Sequence, residues 1–502
     1  MSDFQLWPGD DPTPEMTAAL AAFLDAYPAY ASTRLLDDLR AREYSRLDRL
    51  GHVYLDYTGG SLYADGQVRA HHELLATHVF GNPHSHNPSS QAMTEHVERA
   101  RACVLEFFNA DPEEYVAIFT PNASGALKLV GEAYPFAPGG HYALTFDNHN
   151  SVNGIREFAR AKGAQVTYIP MSAPDLRIEN APLERALALG TPGIPKLFAY
   201  PAQSNYSGVQ HPLELIEVAH AQGWDVLVDC AAFAPTNRLD LHRWKPDFVP
   251  LSFYKMFGYP TGAGALLARK SALAKLRRPW YAGGTITIAS VQGNGYYLAA
   301  GAAAFEDGTL NYLNLPAVEI GLRHLAAIGV ETIHTRVMCL TGWLLEHLTA
   351  LQHSNGRPLV RVHGPTMLKG RAGTVTVTFY DVNGQPFDER RVEELASRDA
   401  ISIRTGCFCN PGAGEVAHGL TPEIMTEFFK GDHGLSFAEL REQMQARYGK
   451  SISAVRISVG LVSNFADVEH FLNFAAGFLD RSSAEIGPTA NECPRCSLEA
   501  GG

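Results

Sequence analysis

Seven short apolar runs, separated by longer and more polar stretches, constrain the fold of this chain more than any other feature of its sequence. All seven lie in the first 270 of its 502 residues. Several of the stretches between them, such as Val152–Lys162 and Pro212–Gln222, are amphipathic and predict helices. Apolar runs that alternate with helices are typical of βαβ units, whose mainly parallel sheet is buried on both faces. The runs are Tyr115–Phe119, Tyr142–Phe146, Gln165–Ile169, Leu197–Tyr200, Asp225–Val228, Phe248–Ser252 and Gly264–Ala268. The sequence therefore predicts an α/β fold.

Changes in this pattern along the chain predict four segments. Residues 1–50 are predicted to form a helical N-terminal segment, and residues 51–312 the large α/β domain. From residue 313 to 482, predicted helices together with predicted strands, such as the strand Thr374–Phe379, indicate a smaller α+β domain. Residues 483–502 are rich in Gly, Ser, Glu and Pro and are predicted to be a flexible tail.

Composition excludes several classes of function. The chain has 41 Lys and Arg residues against 53 Asp and Glu residues, a net charge of −12, so binding to nucleic acid or to an anionic membrane is not expected. Seven cysteines are too few for a disulfide scaffold. The N-terminal residues show neither the basic nor the apolar region of a signal peptide, and we expect a cytoplasmic protein with reduced thiols.

Polar residues follow several of the predicted strands, where ligands bind in open α/β sheets. Asn122, Ala123 and Ser124 lie between a strand and a helix, where backbone N–H groups can hold a phosphate. The alternative is that Ser124 only caps the helix. His149 follows the next strand and could stack on a ring or act as an acid or base, or it could belong to a capping loop.

Three further strand ends carry chemistry-bearing residues. Gln203 and Asn205 follow one strand, and Asp229 directly follows another, where a carboxylate suits a metal or a cationic ring nitrogen. Lys255 lies among aromatic and apolar neighbours, and desolvation there would make it a nucleophile toward an aldehyde, unless its amine reaches solvent. A phosphate cradle, a stacking His, an Asp and such a Lys together match the needs of pyridoxal phosphate.

Six sequence motifs, spread from about residue 54 to residue 462, indicate a family. The chain resembles the class V aminotransferase and cysteine desulfurase family of fold-type I pyridoxal-phosphate enzymes. Within that family it is most similar to the N-terminal desulfurase domain of molybdenum cofactor sulfurases. The motifs are Tyr54–Gly60, Gly81–Ser85, Asp147–Val152, Tyr200–Asn205, Ser252–Gly262 and Arg404–Ala413. The resemblance implies a seven-stranded sheet in the large domain and a homodimer.

The resemblance also assigns the residues that bind the cofactor. It makes Lys255 the catalytic lysine that holds pyridoxal phosphate, Asp229 the acid paired with the ring nitrogen, and His149 a catalytic residue stacked on the ring. Asn205 contacts the ring oxygen, and Gln203 lies on the substrate side. The phosphate-binding positions are Asn122, Ala123, Ser124 and Ser252, together with Thr285, which reaches the phosphate from the other subunit.

The substrate implied by the resemblance is L-cysteine or a related amino acid. Arg456 matches the arginine that binds the substrate carboxylate, and Arg404 is a second contact. Cys409 ends the pattern Arg-x-Gly-x-x-Cys and matches the nucleophile that takes up sulfur as a persulfide. The sulfur would then pass to an acceptor protein or cofactor, and alanine would be released. Nearby Arg404 would favour the thiolate form.

Some questions remain open at this stage. Tyr254 and Ala232 stand where ordinary cysteine desulfurases have His and Gln, which leaves the acid/base residue undecided. Cys407 could relay sulfur or have no role. The Cys493/Cys496 pair fits half a zinc site, a relay pair or two exposed thiols, and no metal site is predicted. An aminotransferase, C–S lyase or epimerase without a persulfide is the alternative enzyme, and an inactive scaffold is the alternative of another class.

Overall fold

The computed structural model describes residues 13–83, 85–430 and 435–489. The strands are β1 (Val53–Tyr54), β2 (Tyr115–Thr120), β3 (His141–Thr145), β4 (Gln165–Ile169), β5 (Met171–Ser172), β6 (Arg177–Ile178), β7 (Lys196–Pro201), β8 (Asp225–Asp229), β9 (Phe248–Ser252), β10 (Gly264–Arg269), β11 (Ile286–Ser290), β12 (Gly295–Leu298), β13 (Val360–His363), β14 (Thr374–Phe379), β15 (Ile401–Ser402), β16 (Arg404–Gly406) and β17 (Ala454–Ser458).

Helices flank these strands. They are α1 (Pro14–Ala26), α2 (Leu35–Glu43), α3 (Arg46–Arg49), α4 (Asp65–Thr77), α5 (Pro88–Phe107), α6 (Ala123–Ala133), α7 (Asn150–Asn153), α8 (Ile155–Ala161), α9 (Asn180–Leu187), α10 (Leu215–Ala221), α11 (Phe253–Phe257), α12 (Lys270–Leu273), α13 (Leu315–Ile328), α14 (Val330–Ala350), α15 (Glu389–Arg398), α16 (Pro411–Ala417), α17 (Pro422–Phe428), α18 (Phe437–Tyr448), α19 (Phe465–Ala476) and α20 (Ser483–Ile486). Two 3-10 helices span Pro28–Thr33 and Gly301–Phe305.

The seven predicted strands form one sheet, in the order β2-β10-β9-β8-β7-β3-β4. Its neighbours from β9 to β4 run parallel, and only β10 runs antiparallel to its partners β2 and β9. Every side chain of β3, β7, β8 and β9 is buried, as expected for strands covered by helices on both faces. The predicted α/β class, with a mainly parallel seven-stranded sheet, is confirmed.

A second sheet lies in the C-terminal part of the chain. Its four strands are antiparallel, in the order β13-β14-β17-β16. The short strand β1 pairs in parallel with β15, and Asp56 just beyond β1 forms a parallel bridge with Ser458 at the end of β17. The chain before the large sheet is therefore joined to the small sheet, several hundred residues later.

The start of the predicted flexible tail is part of the fold, which corrects that prediction for residues 483–486. The Glu485 carboxylate accepts a hydrogen bond from the Ser482 N–H at 2.7 Å at the start of α20, and Ile486 is buried against the core. The backbone carbonyl of Ile486 also accepts a hydrogen bond from Arg391 Nε at 2.8 Å. An apolar anchor and a cap hold this short helix although its composition is polar. Residues 490–502, with Cys493 and Cys496, lie outside the described residues, and the domain boundaries at 50, 312 and 482 stay a prediction.

Helix α11 positions Lys255, and a glycine ends it. Gly258 has φ = +79°, a conformation that strongly favours glycine. A Cβ atom at this position would lie 2.4 Å from the backbone of Leu62 and Tyr63. The loop that follows β1 thus packs directly against the end of the helix that carries the lysine. No helix in the described residues has both the length and the apolar character that crossing a membrane requires.

Gly258→Ala is expected to destabilise the protein more than an alanine substitution at another glycine with a similar positive φ. Gly223 has φ = +77° but open space around its Cβ position, so Gly223→Ala should cost only about 1–2 kcal/mol of unfolding free energy. Gly258→Ala should lose that amount plus about 1–3 kcal/mol from the backbone clash. Urea denaturation of both variants measures the difference, and equal losses would contradict the close packing of α11 on residues 62–63.

Candidate active site

A cavity of about 180 Å³ lies where the central strands β7, β8 and β9 end. Nine residues predicted from the sequence line it together, which is the arrangement expected at the carboxyl ends of parallel strands. Tyr254 and Ala232, the two positions that depart from ordinary desulfurases, line it as well. The nine predicted residues are Asn122, Ala123, Ser124, His149, Gln203, Asn205, Asp229, Ser252 and Lys255.

One end of this cavity suits an anion. The N-terminus of α6 opens into it, and a helix N-terminus carries partial positive charge and backbone N–H donors. Asn122, not Ser124, caps the helix, because the Asn122 side chain accepts a hydrogen bond from the Gly125 N–H at 2.9 Å. The Ser124 hydroxyl is instead 2.6 Å from that of Ser151, and Ser252 Oγ accepts from the Ala123 N–H at 2.9 Å. Hydroxyls and backbone donors thus converge at this end.

His149 belongs to a capping loop and also lines the cavity, and its role against a ring stays a prediction. It caps the short helix α7, since its Nδ1 accepts a hydrogen bond from the Ser151 N–H at 3.1 Å. Its ring also lines the cavity. Burial and the nearby Lys255 lower the pKa of His149, although Asp229 opposes the shift. The ring is therefore neutral near pH 7, and its proton is placed on Nε2 because Nδ1 serves as an acceptor.

The Lys255 amine lacks a hydrogen bond or an ion pair in the described part of the chain. Burial lowers its pKa, and the charge of Asp229 raises it only in part. Asp229 is itself held at the end of β8, where its Oδ1 accepts a hydrogen bond from the Ala231 N–H at 2.9 Å. A lower pKa favours the deprotonated amine, which is the nucleophilic form.

The two predicted carboxylate-binding arginines share an acid that the sequence reasoning missed. Arg404 on β16 and Arg456 on β17 lie directly opposite each other across the antiparallel ladder, where like charges repel. Asp56 lies between them and accepts from Arg404 Nη2 at 2.6 Å and from Arg456 Nη2 at 3.1 Å. Asp56 was visible as part of the motif Tyr54–Gly60, but its partners are 348 and 400 residues away.

Arg456 has one guanidinium nitrogen without a hydrogen-bond partner among the described residues. The side chain is 3% exposed, and its Nη1 donates to the Asn205 carbonyl at 3.1 Å. Its Nε is buried and has no hydrogen-bond partner among the described residues. Burial lowers the pKa of Arg456, and the charge of Asp56 counteracts this. A buried arginine with a free donor suits the carboxylate of a ligand.

The two cysteines of the Arg404–Ala413 motif have different environments. Cys409 is exposed, whereas Cys407 is half-buried, and burial raises the pKa of the Cys407 thiol. Phe408 and Cys409 have φ of +55° and +54°, which costs roughly 1–2 kcal/mol per non-glycine residue. Cys409 is not among the residues that line the cavity, but the charge of its thiolate would raise the pKa of both Lys255 and Arg456.

Thr285 lies apart from the cavity of its own chain. It is buried at the start of a β-hairpin, and its hydroxyl donates to the Ala282 carbonyl at 2.8 Å. Its predicted role in the site of a second subunit stays a prediction. Among the residues that are described, no group of three or more His, Cys, Asp or Glu side chains could hold a metal ion.

Comparisons with known proteins identify the family of the chain. The chain matches the class-V aminotransferase family over residues 53–471. It is 35% identical to the molybdenum cofactor sulfurase of Solanum lycopersicum, with 89% of this chain and 58% of that protein covered. It is 36% identical to the molybdenum cofactor sulfurase of Homo sapiens, with 88% of this chain and 51% of that protein covered. The chain thus spans little more than half the length of these relatives.

Solved structures show the same fold. The apo structure of the cysteine desulfurase from Thermococcus onnurineus NA1 is 25% identical, with a TM-score of 0.73. The similarity covers 88% of this chain and 98% of that one. The predicted fold, that of fold-type I pyridoxal-phosphate enzymes, is confirmed.

Asp56→Ala is expected to lower the free energy of unfolding by about 3–5 kcal/mol, because it leaves the buried Arg456 without its acid. Glu157→Ala is the matched control, since Glu157 pairs with two arginines on the exposed surface of α8 and should cost less than about 1 kcal/mol. Urea denaturation measures both. Similar losses for the two variants would show that Asp56 is not essential to the pairing of the two strands.

Proposed function

Because the chain belongs to the class V aminotransferase family, we propose that it is a pyridoxal-phosphate-dependent cysteine desulfurase of the molybdenum cofactor sulfurase type. It takes sulfur from L-cysteine, receives it on Cys409 as a persulfide and releases L-alanine. The sulfur then passes to an acceptor protein or cofactor. The relatives are named for the molybdenum cofactor, which suggests the final acceptor. We place this reaction in the cytoplasm, where free thiols stay reduced.

The observation that carries the proposal is the unpaired Lys255 amine in one cavity with an acid and an anion-binding helix end. These residues fit pyridoxal phosphate. Lys255 would hold its aldehyde carbon, Asp229 would pair with its ring nitrogen, and His149 would face the ring. The N-terminus of α6 and the Ser252 hydroxyl would bind the phosphate. When bound, the cofactor withdraws electrons from the α-carbon of an amino acid.

The residues around Lys255 decide which group accepts protons. Burial lowers the pKa of Lys255, which favours the neutral amine that can take the α-proton. Tyr254 stands where other desulfurases have His, and burial raises the pKa of its hydroxyl. A tyrosine that keeps its proton can donate but does not serve as a base. We therefore assign the base to Lys255.

The arginine pair orients the substrate. Arg456 offers its buried Nε to the α-carboxylate, and the half-exposed Arg404 lies beside it on the neighbouring strand. Asp56 holds both side chains in place before the substrate arrives. Preorganised donors lower the cost of ordering the site when the substrate binds.

Cys409 carries out the sulfur transfer. Its Sγ thiolate bonds to the sulfur of the substrate, the carbon–sulfur bond breaks, and the electron pair stays with the carbon skeleton. Protonation of that carbon, together with return of the α-proton by Lys255, yields alanine. Cys409 is exposed, so an acceptor can reach the persulfide, whereas burial raises the pKa of the Cys407 thiol and keeps it from acting as the nucleophile.

A homodimer is part of the proposal. The hairpin β11–β12 that follows Thr285 exposes large apolar side chains, among them Ile288 at 58%, Val291 at 101% and Tyr297 at 75%. Such a patch marks an interaction surface. A second copy that covers it would carry Thr285 toward the neighbouring site. Light scattering of the purified chain is expected to give twice the mass of one chain.

Cys409→Ala is expected to stop the release of alanine from L-cysteine, and Cys407→Ala to leave most of it. The reason is that the exposed thiol, not the half-buried one, is the nucleophile. Alanine is measured with a thiol reductant present, and the persulfide is located by mass spectrometry. Full activity of Cys409→Ala would favour a lyase, aminotransferase or epimerase that needs no persulfide. Absence of bound cofactor in the wild type would favour the scaffold.

The Lys255 amine of the cofactor-free protein is expected to lose its proton below the roughly 10.4 of an ordinary lysine, because burial lowers its pKa. Asp229 opposes that shift, so Asp229→Asn should lower the pKa of Lys255 further. Reductive methylation over a pH series, followed on the Lys255 peptide by mass spectrometry, measures both. An ordinary value in the wild type, or a higher one in Asp229→Asn, would contradict the assigned environment.

A further inference from the structure

The segment that carries Cys409 is bonded to the large α/β domain on both sides of the thiol. Before it, the Phe408 carbonyl accepts from Asn205 Nδ2 at 2.8 Å. At Cys409 itself, the backbone carbonyl accepts from the Asn150 N–H at 2.7 Å. After it, Asn410 donates its Nδ2 to the Asp147 carbonyl at 2.7 Å. Residues 407–410 therefore form a docked loop.

Asn410 is the centre of these contacts. It is fully buried, with 0% of its surface exposed. The same Nδ2 group also donates to Asn205 Oδ1 at 2.9 Å, and its Oδ1 accepts from the Ala413 N–H as the cap of α16. Its backbone N–H donates to the Cys407 carbonyl at 3.1 Å. Asn410 takes no part in the proposed reaction itself, so its hydrogen bonds indicate a role in holding the loop.

Asn205 connects this loop to the cavity. It lines the cavity beside Lys255, and both ends of its side-chain amide are bonded to the docked loop. Its backbone carbonyl accepts from Arg456 Nη1, and the Arg456 guanidinium lies 4.7 Å from the centre of the Phe408 ring. One short network of contacts thus joins the cavity, the Arg456 side chain and the loop that carries Cys409.

We propose that Asn410 is a positioning residue, which with Asn205 forms an amide clamp that holds the Cys409 thiol at the reactive distance from the cavity. This proposal rests on the proposed function, since it concerns the nucleophile of that reaction. The clamp is needed because Phe408 and Cys409 both adopt the left-handed conformation, which the chain leaves unless other contacts hold it. The loop stays docked during transfer, and the acceptor comes to Cys409.

Serine substitution at Asn410 separates the clamp from helix capping. Ser is as good a helix cap as Asn, so Asn410→Ser keeps the bond from the Ala413 N–H. It loses the two bonds that the Asn410 side chain donates through Nδ2. Asn464→Ser is the matched control, because Asn464 caps α19 through a bond from the Asp467 N–H and takes no part in the clamp. Thermal denaturation of both variants shows whether the fold is kept, and Asn410→Asp, which keeps the cap and the size, provides a second variant.

The expected result is a split between binding and sulfur transfer. In Asn410→Ser the holoenzyme should bind cofactor and L-cysteine like the control, but persulfide should form on Cys409 about 100-fold more slowly, the usual effect of a displacement of about 1 Å. Iodoacetamide should also label Cys407 faster than in the control, because release of residues 407–410 exposes the half-buried thiol of Cys407. Persulfide formation and Cys407 labelling that both match the control would overturn the clamp.

The two proposals can fail separately. If the wild type forms no persulfide on Cys409, the proposed function fails. Labelling of Cys407, measured without any substrate, then still decides whether Asn410 docks the loop. Faster labelling in Asn410→Ser and Asn410→Asp supports the clamp, and unchanged labelling in both overturns it.

Discussion

The parallel direction of neighbouring strands is the constraint on which the rest of this structure depends. The strands β3, β7, β8 and β9 run the same way, so their carboxyl ends meet at one edge of the sheet. The polar residues that follow them therefore converge, although they are spread over more than a hundred residues of sequence. The antiparallel strand β10 begins at this edge, and its first residue packs against the turn that precedes α6. The direction of the strands therefore places the cavity, and the residues that follow the strands line it.

The chemistry of the site depends on the absence of solvent around a few charged groups. Lys255 is desolvated and unpaired in the described residues, which makes its amine easier to deprotonate. Arg456 is buried at 3% exposure but keeps its charge beside Asp56, because a buried charge without a partner is too costly. Burial also distinguishes Cys407 from Cys409, two thiols that are alike in sequence.

The strands and the family motifs could be predicted because they are local signals. Gln165–Ile169 and Phe248–Ser252 have the predicted bounds, since an apolar run between turn residues is visible in five residues. Helix α20 was missed because one buried side chain, Ile486, anchors it in a polar stretch. The cap of α6 was assigned to Ser124 as an alternative, but Asn122 provides it, and both residues are common helix caps.

By itself the sequence determined the α/β class, the lysine and acid expected at the ends of β9 and β8, and the cysteine that ends the Arg404 motif. Only the tertiary structure decided which groups these residues contact. Asp56 between Arg404 and Arg456, and Asn410 between Asp147 and Asn205, join segments that lie hundreds of residues apart. The physical reason is that periodicity reports the burial of a segment, whereas a hydrogen bond or an ion pair depends on how two distant segments pack together in space.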